Sequence, residues 1–155
     1  MKIVKLTRDG FAAFGEVIET ADAQQFLINN GYATRFDRLA LPKFDKGAGK
    51  ISIFEVRPRP APIKIDMMER HPLGSQAFYP LQNEDWLVVV CADPLDVTSF
   101  RCFLASGLQG VNYARGTWHF PLLVFGPSRF IIVDREWTEM NLEEVALSAP
   151  LHIVI

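Results

Sequence analysis

The sequence predicts an all-β fold, a sandwich or barrel, formed by one domain that spans residues 1–155. Roughly ten short segments show the alternation or the β-branched enrichment of strands, and turn signals separate them at the spacing of such folds. Helical periodicity is confined to a few short stretches, and the sequence contains no internal repeat. A chain of 155 residues also fits a single domain with one buried core.

The N-terminal third predicts one short helix and several strands. Thr7 is a suitable N-cap, Phe11 and Phe14 share one apolar face, and Gly15 can end the helix in the left-handed conformation. The elements that follow are a strand over 16–19, an Asn-Asn-Gly turn at 29–31, a strand over 35–41 and a polar connection over 45–50.

The rest of the chain predicts the main strands. Residues 85–92 form a continuous β-branched run, which is typical of a strand buried on both faces. The proline-rich segment 57–62 cannot donate a regular hydrogen-bond ladder, so it is a connector or sheet edge, with Arg57 and Arg59 in solvent. The other predicted elements are strands over 50–57, 63–70 and 100–105, a hairpin of 122–125 with 129–135, a helical turn over 141–145 capped by Asn141, and a strand over 152–155.

Charge and composition argue against several classes of partner. The net charge is −2 and no run of Lys or Arg forms a patch, so we expect neither nucleic acid nor an acidic membrane surface. No apolar run reaches membrane-spanning length, and charged residues interrupt the first ten positions, which predicts no signal peptide and a cytoplasmic protein. Cys91 and Cys102 lie in apolar strands without CxxC spacing, which predicts buried free thiols.

Two polar stretches, 69–80 and 107–122, interrupt the strand pattern. The second is rich in both aromatic and polar side chains, which is more typical of a pocket wall than of a packing layer. Its glycines, Gly107, Gly110 and Gly116, indicate tight turns or close backbone approach. We expect the two stretches to face each other inside the barrel.

Four side chains of these stretches, Glu69, His71, Gln76 and His119, are candidates for one site. Glu69 and His71 point to the same side of a strand, and the turn over 72–75 can bring Gln76 back towards them. The pattern resembles the two cupin motifs, H-x-H-x4-E and G-x-x-H, with Glu69 in place of the first His and Gln76 in place of the Glu. That resemblance implies a cupin-type β-barrel, a double-stranded β-helix or jelly roll, and a divalent metal held by Glu69, His71 and His119. Because an amide is a poor metal ligand, we expect weak metal binding or none.

Four longer motifs carry a narrower resemblance over nearly the whole chain. They are I-N-N-G at 28–31, E-R-H-P-L-G-S-Q-A-F at 69–78, G-x-Q-G-V-N-Y-x-x-G-x-W-H-x-P-L at 107–122 and F-I-I-V-D-R at 130–135. Together they resemble the ureidoglycolate lyases of allantoin and purine degradation. The resemblance implies a homodimer that cleaves (S)-ureidoglycolate to glyoxylate and urea, with no cofactor required or a weakly bound divalent metal, nickel being the ion that the family suggests.

The residue types fit this chemistry. His71 and His119 are the acid and base candidates because imidazole titrates near neutral pH, and Glu69 is the alternative base if burial raises its pKa. Which histidine is the acid and which the base stays open. Neutral amides suit a urea group, and Tyr113 is a candidate for orienting the substrate. The amide candidates are Gln76, Asn29, Asn30 and Asn112.

A guanidinium is the natural partner of the substrate carboxylate. The candidates are Arg35, Arg70, Arg115 and Arg135, and strand alternation argues against Arg70. The sequence does not choose among them. Three neighbouring residues have simpler interpretations: Trp118 belongs to the core or a dimer interface, Asp134 forms an ion pair with Arg135, and His152 has no functional role.

Two other functions remain compatible with the sequence. One is a metal-dependent cupin enzyme of another kind, an isomerase or a dioxygenase. The other is a non-catalytic module that binds a ureido acid or an organic acid. Neither a Ser-His-Asp nor a Cys-His pattern is present, which agrees with an elimination that needs no activated nucleophile.

Overall fold

The structure is a computed structural model and describes residues 1–154. Most of the chain is strand, connected by turns and by one short α-helix, α1 (Arg8–Phe11). The strands are β1 (Ile3–Lys5), β2 (Gly15–Ile18), β3 (Gln25–Ile28), β4 (Ala33–Phe36), β5 (Ala48–Val56), β6 (Ile63–Arg70), β7 (Gln76–Pro80), β8 (Trp86–Cys91), β9 (Arg101–Ala105), β10 (Gly110–Tyr113), β11 (Trp118–His119), β12 (Leu123–Val124), β13 (Ser128–Glu136) and β14 (Glu143–Ile153).

Two sheets form the body of the protein. The first has the order β1-β9-β8-β11-β6-β14, with β12 also paired to β8, and the second has the order β2-β10-β7-β13-β5. Consecutive strands repeatedly cross from one sheet to the other, and all pairs are antiparallel except β1 with β9. This is the jelly-roll arrangement of a cupin-type fold, which confirms the predicted fold class. No helix of residues 1–154 is long and apolar enough to cross a membrane.

The main core lies between the two sheets. Trp86, Val88 and Val90 of β8 meet Phe130 and Ile132 of β13 there. The alternate residues of β8 belong to a second apolar cluster that β6, β9 and β14 complete on its other face. The strand is therefore buried on both faces, as its β-branched run predicts. Cys91 and Cys102 are buried and unpaired, and burial raises the pKa of their thiols to about 12 and about 11.

The sequence wrongly predicts a hairpin of 122–125 with 129–135. The turn at 126–128 exists, but β12 pairs with β8 in the first sheet, whereas β13 lies between β5 and β7 in the second. The local turn signal is real, and the partner of each strand is set by distant residues.

Smaller differences concern the element bounds. The helix ends at Phe11 rather than at Gly15, although Thr7 caps it as predicted, with its hydroxyl accepting the Gly10 N–H at 3.1 Å. Gly15 instead opens β2, where a Cβ would lie 2.0 Å from the Asn112 carbonyl oxygen. β4 ends at Phe36, and β5 begins inside the predicted polar connection.

The predicted helical turn at 141–145 is also wrong. β14 begins at Glu143 and continues to Ile153, so it includes the first part of the strand predicted over 152–155, and Ile155 lies outside the described residues. The Asn141 side chain makes a tertiary hydrogen bond instead of a helix cap: its oxygen accepts the Leu73 N–H at 2.7 Å.

Candidate active site

Glu69, His71 and His119 converge on the inner face of the first sheet. His119 of β11 is the direct cross-strand neighbour of Glu69 of β6, so the two side chains project to the same side. His119 Nε2 lies 3.5 Å from Glu69 Oε1. His71 follows β6 directly, and its ring centroid is 5.4 Å from that of His119. One donor atom from each of the three residues falls within 4.8 Å of the others.

Both imidazoles are held through Nδ1. His71 Nδ1 lies 2.6 Å from the Asn141 carbonyl oxygen, and His119 Nδ1 lies 2.9 Å from the Thr117 carbonyl oxygen. A carbonyl oxygen only accepts, so each Nδ1 carries a proton. The Nε2 atoms of both rings are buried and have no hydrogen-bond partner among the described residues. Each Nε2 is therefore the atom free to exchange a proton or bind a ligand.

The surroundings tune these groups differently. Burial lowers the pKa of His71, the nearby His119 lowers it further, and the hydrogen bond to Asn141 offsets only part of this. Burial alone would raise the pKa of Glu69, but the nearby imidazoles of His119 and His71 outweigh it, so the pKa of Glu69 is lowered. The condition under which Glu69 would become the better base is therefore not met, and Glu69 is ionised at neutral pH while His71 is neutral.

Tyr113 supports the His119 ring. The two rings are stacked, with centroids 4.2 Å apart and an interplanar angle of 14°. Tyr113 lies directly across from Gln76 in the second sheet, so its ring crosses the interior to reach the first sheet. Burial raises the pKa of its phenol, and the ring is 4% exposed. The contact fixes the plane of the imidazole.

Gln76 and Asp134 form the polar part of the opposite wall. Gln76 Nε2 donates to Asp134 Oδ2 at 3.5 Å, and Gln76 Oε1 is buried without a partner among the described residues. Asp134 lies 3.9 Å from Lys50 Nζ. The predicted Asp134–Arg135 ion pair is wrong, because adjacent strand residues face opposite ways. Arg135 instead approaches Glu139 at 3.6 Å on the outer face.

A cavity of about 480 Å³ opens beside the cluster. Glu69 and Gln76 are among its polar lining residues, and Phe54, Phe78 and Leu122 are among its apolar ones. Its size and its few convergent polar groups are typical of a small-molecule site. The remaining lining residues are Ile53, Glu55, Val56, Arg57, Arg59 and Pro121.

Several candidate residues lie elsewhere. Asn112 faces away from Tyr113 by strand alternation, and its amide donates to Glu16 Oε2 at 2.7 Å. Asn29 and Asn30 form the exposed tip of the β3–β4 hairpin, which pairs with neither main sheet. Arg35 of that hairpin pairs with Asp37. Within one chain, none of these four joins the Glu69 cluster.

Two further arginines and Trp118 have structural partners. Arg115 donates to the Pro72 carbonyl oxygen at 3.3 Å and lies 3.8 Å from Asp45, so it ties down the segment after His71. Arg70 points away from the cluster, as alternation predicts: its guanidinium covers the Trp118 ring at 4.5 Å and binds Glu143 at 2.5 Å. Trp118 is 9% exposed and belongs to the second core cluster.

Comparison with known proteins gives the family. The sequence profile described as ureidoglycolate lyase matches residues 1–154. The chain belongs to the ureidoglycolate lyase family. It is 47% identical to the ureidoglycolate lyase of Burkholderia mallei (strain NCTC 10229), over 97% of this chain and 91% of that protein. It is 50% identical to ureidoglycolate lyase 1 of Rhizobium meliloti (strain 1021), over 93% of this chain and 87% of that protein.

Among solved structures, a dTDP sugar isomerase from Desulfovibrio desulfuricans G20 is similar with a TM-score of 0.48 and 17% identity, covering 87% of this chain and 85% of that one. A likeness this slight says nothing about function, and the fold assignment of this ureidoglycolate lyase family member follows from its own strand order.

Three residues near the site of this family member make contacts that the sequence does not predict. Asn141 reads as a helix cap and Asp134 as half of a local ion pair, whereas Arg59 is exposed as predicted but gives no sign of its contact with Phe120. All three reach the site region through contacts between segments distant in sequence: Asn141 with His71, Asp134 with Gln76, and Arg59 with the ring of Phe120. No local pattern encodes such contacts.

The donor set of Glu69, His71 and His119 fits a divalent metal ion. Two imidazole nitrogens and one carboxylate oxygen are suitable ligands, and two of the three donor atoms are buried without a hydrogen-bond partner. Carbonyl oxygens already hold each Nδ1, the arrangement that orients metal-binding histidines in general.

Proposed function

We propose that the chain cleaves (S)-ureidoglycolate to glyoxylate and urea by acid/base elimination, a step of purine degradation through allantoin. The substrate is a carbinolamide whose central carbon carries a hydroxyl, a ureido nitrogen and a carboxylate. Elimination removes the hydroxyl proton, forms the aldehyde and protonates the departing nitrogen. The observation that carries the proposal is the convergence of Glu69, His71 and His119 beside the 480 Å³ cavity that Gln76 also lines.

His71 is the base in this proposal. Its pKa is lowered by burial, so the ring is neutral near pH 7, and its Nδ1 proton is committed to Asn141. The unpartnered Nε2 lone pair is then available for the substrate hydroxyl proton.

His119 is the acid in this proposal. His119 Nε2 lies 3.5 Å from Glu69 Oε1, and Glu69 lines the cavity, so a proton carried on this nitrogen lies at the edge of the substrate space. Donation of this proton to the ureido nitrogen allows urea to leave. After product release, transfer of the proton from His71 to His119 returns both imidazoles to their starting protonation states.

Gln76 and Asp134 suit the ureido group. The unpartnered Gln76 Oε1 accepts a urea N–H, and Asp134 holds the Gln76 amide from behind. An amide oxygen recognises urea without placing a further charge beside the two imidazoles.

The products provide the test. Incubation with (S)-ureidoglycolate is expected to give equal amounts of glyoxylate and urea and no ammonia, as measured by coupled assays or NMR. Ammonia in place of urea would assign the chain to hydrolysis of the ureido group, and binding without products would make it a binding module.

Tyr113 provides a prediction about positioning. Tyr113→Phe keeps the ring that stacks on His119, so we expect near wild-type kcat. Tyr113→Ala removes an aromatic contact worth about 0.5–1.5 kcal/mol, so kcat is expected to fall roughly threefold to tenfold. Equal losses in both variants would mean that the hydroxyl, rather than the ring, matters. Thermal unfolding of both variants controls for damage to the core.

We propose that a metal is bound weakly and is not required. A divalent ion held by Glu69, His71 and His119 would supply Lewis-acid polarisation of the substrate oxygen. Titration with Ni²⁺ is expected to raise the melting temperature of the wild type but not of His71→Ala, with His152→Ala as the control for surface histidines. Chelator-treated protein is expected to retain turnover, and complete loss on chelation with recovery on adding Ni²⁺ would refute this proposal.

A homodimer and a cytoplasmic location complete the proposal. Exposed apolar residues support an interface: Leu27 and Tyr32 on the β3–β4 hairpin are 74% and 93% exposed, and Ile51 on the outer face of β5 is 77% exposed. Sedimentation equilibrium measures the mass directly, and a monomer at micromolar concentration would refute the dimer. The two unpaired thiols are typical of a reducing compartment, and cell fractionation tests the location.

A further inference from the structure

The proposed reaction, on which this inference rests, leaves the substrate carboxylate without a partner. The Glu69 carboxylate lines the cavity, so a second carboxylate bound beside it requires a cation close by. The four arginines that the sequence offers for this role are all engaged: Arg35 with Asp37, Arg70 with Glu143, Arg115 with Asp45 and Arg135 with Glu139.

Arg59 is differently placed. It lines the same cavity as Glu69 and Gln76, and within residues 1–154 no carboxylate lies within salt-bridge distance of it. Its guanidinium carbon lies 4.6 Å from the centroid of the Phe120 ring. Phe120 is buried and follows His119 directly, so this contact holds the guanidinium against the segment that carries the proposed acid.

The backbone around Arg59 is stiff. Pro58 and Pro60 flank it, and each proline restricts its own φ and the conformation of the residue before it. A guanidinium on a stiff segment, stacked on a buried ring, loses little conformational freedom when it binds a carboxylate.

The charge of Arg59 already reaches the site. It contributes, after the two histidines, to lowering the pKa of Glu69. The same positive potential acts on any anion that enters the cavity.

We propose that Arg59 binds the carboxylate of ureidoglycolate and of the product glyoxylate, and so fixes the direction in which the substrate lies. With the carboxylate on Arg59 and the ureido group on Gln76, the carbinol carbon lies between them, beside Glu69 and the two imidazoles. Selection of a 2-hydroxy acid over a neutral carbinolamide follows from this one contact.

Arg57 is the rival within the same cavity. It also lines the space, two residues earlier on the same extended segment. Within residues 1–154 no aromatic ring lies under its guanidinium, and it is not among the charges that lower the pKa of Glu69. Arg59 has the Phe120 ring and does lower that pKa. The test therefore includes both arginines.

Steady-state kinetics and glyoxylate binding test the proposal. Arg59→Ala is expected to raise both the KM for ureidoglycolate and the inhibition constant of glyoxylate about 10- to 100-fold, with a smaller change in kcat, since the contact is made equally before and during the reaction. Arg59→Lys keeps the charge without the bidentate geometry and is expected to recover part of the affinity. Inhibition by N-(hydroxymethyl)urea, which has a hydrogen in place of the carboxylate, is expected to be unchanged in Arg59→Ala.

Arg101→Ala removes one positive charge from β9, away from the cavity, and is the matched control, with kinetics expected to equal those of the wild type. Unchanged glyoxylate affinity in Arg59→Ala, or a loss confined to Arg57→Ala, would overturn the proposal. An equal loss for glyoxylate and N-(hydroxymethyl)urea would also overturn it, because that pattern indicates a distorted cavity.

The proposed reaction and the proposed Arg59 contact can be refuted independently. If the wild-type protein releases no urea from ureidoglycolate, the proposed function is wrong. Calorimetric titration of glyoxylate into the wild type and Arg59→Ala still tests the carboxylate contact in that case: a weaker affinity in the variant supports it, and equal or absent binding overturns it.

Discussion

Replacing His119 by asparagine is expected to lower kcat for ureidoglycolate by about 10²- to 10⁴-fold, the range typical of a lost general acid. The Asn amide can still donate to the Thr117 carbonyl oxygen, as His119 Nδ1 does at 2.9 Å. What disappears is the titratable nitrogen that lies 3.5 Å from Glu69 Oε1. The loss is therefore assigned to proton transfer once the variant is seen to keep its far-UV and near-UV circular dichroism.

His152→Asn is the matched control for this experiment. His152 is exposed on β14 and makes no side-chain contact with the cluster, so the same substitution there is expected to leave kcat unchanged. Retention of more than about a tenth of wild-type kcat in His119→Asn would show that it is not the acid, because an essential acid contributes at least 10²-fold.

The largest effect on stability is expected from Phe130→Ala. Phe130 is 0% exposed between the two sheets, and its ring packs edge-on against Trp86 with centroids 5.0 Å apart. Truncation leaves a cavity that the surrounding strands cannot fill, so the free energy of unfolding is expected to fall by about 3–5 kcal/mol. Urea unfolding followed by Trp fluorescence at a fixed protein concentration measures this change.

Leu95→Ala is the control for the core variant. Leu95 is 82% exposed in the turn before β9, where surface substitutions change stability by less than about 0.5 kcal/mol. A change below about 1 kcal/mol for Phe130→Ala would mean that the space between the sheets is not closely packed, since core Phe truncations lie well above that.

Elements whose burial or turn geometry depends only on residues adjacent in the sequence could be predicted. The β-branched run of β8 indicates burial on both faces, and the structure agrees. The Asn-Asn-Gly signal gives the turn at 29–31, where Asn29, Asn30 and Gly31 all have positive φ. The hairpin of 122–125 with 129–135 fails because partner choice in a jelly roll is non-local, and neighbours in sequence enter different sheets.

The same distinction applies to the site. Glu69, His71 and His119 can be identified from motif spacing and do lie together, and Gln76 faces them from the second sheet. Asn112 cannot be placed without knowing which face of β10 looks inward. Arg59 is exposed as predicted, but its contact with Phe120 joins segments 61 positions apart and leaves no local signal. The roles of these residues stay predictions until the kinetic tests are done.

By itself the sequence determined the all-β class, the buried strands and the family, because periodicity and long motifs are properties of the chain order alone. Only the tertiary structure decided which strands pair, which side of each strand faces the cavity and which arginine is free. Those outcomes depend on packing and charge pairing between distant segments. The carboxylate partners of Arg70 and Arg115 come from distant segments and become known only in the folded chain.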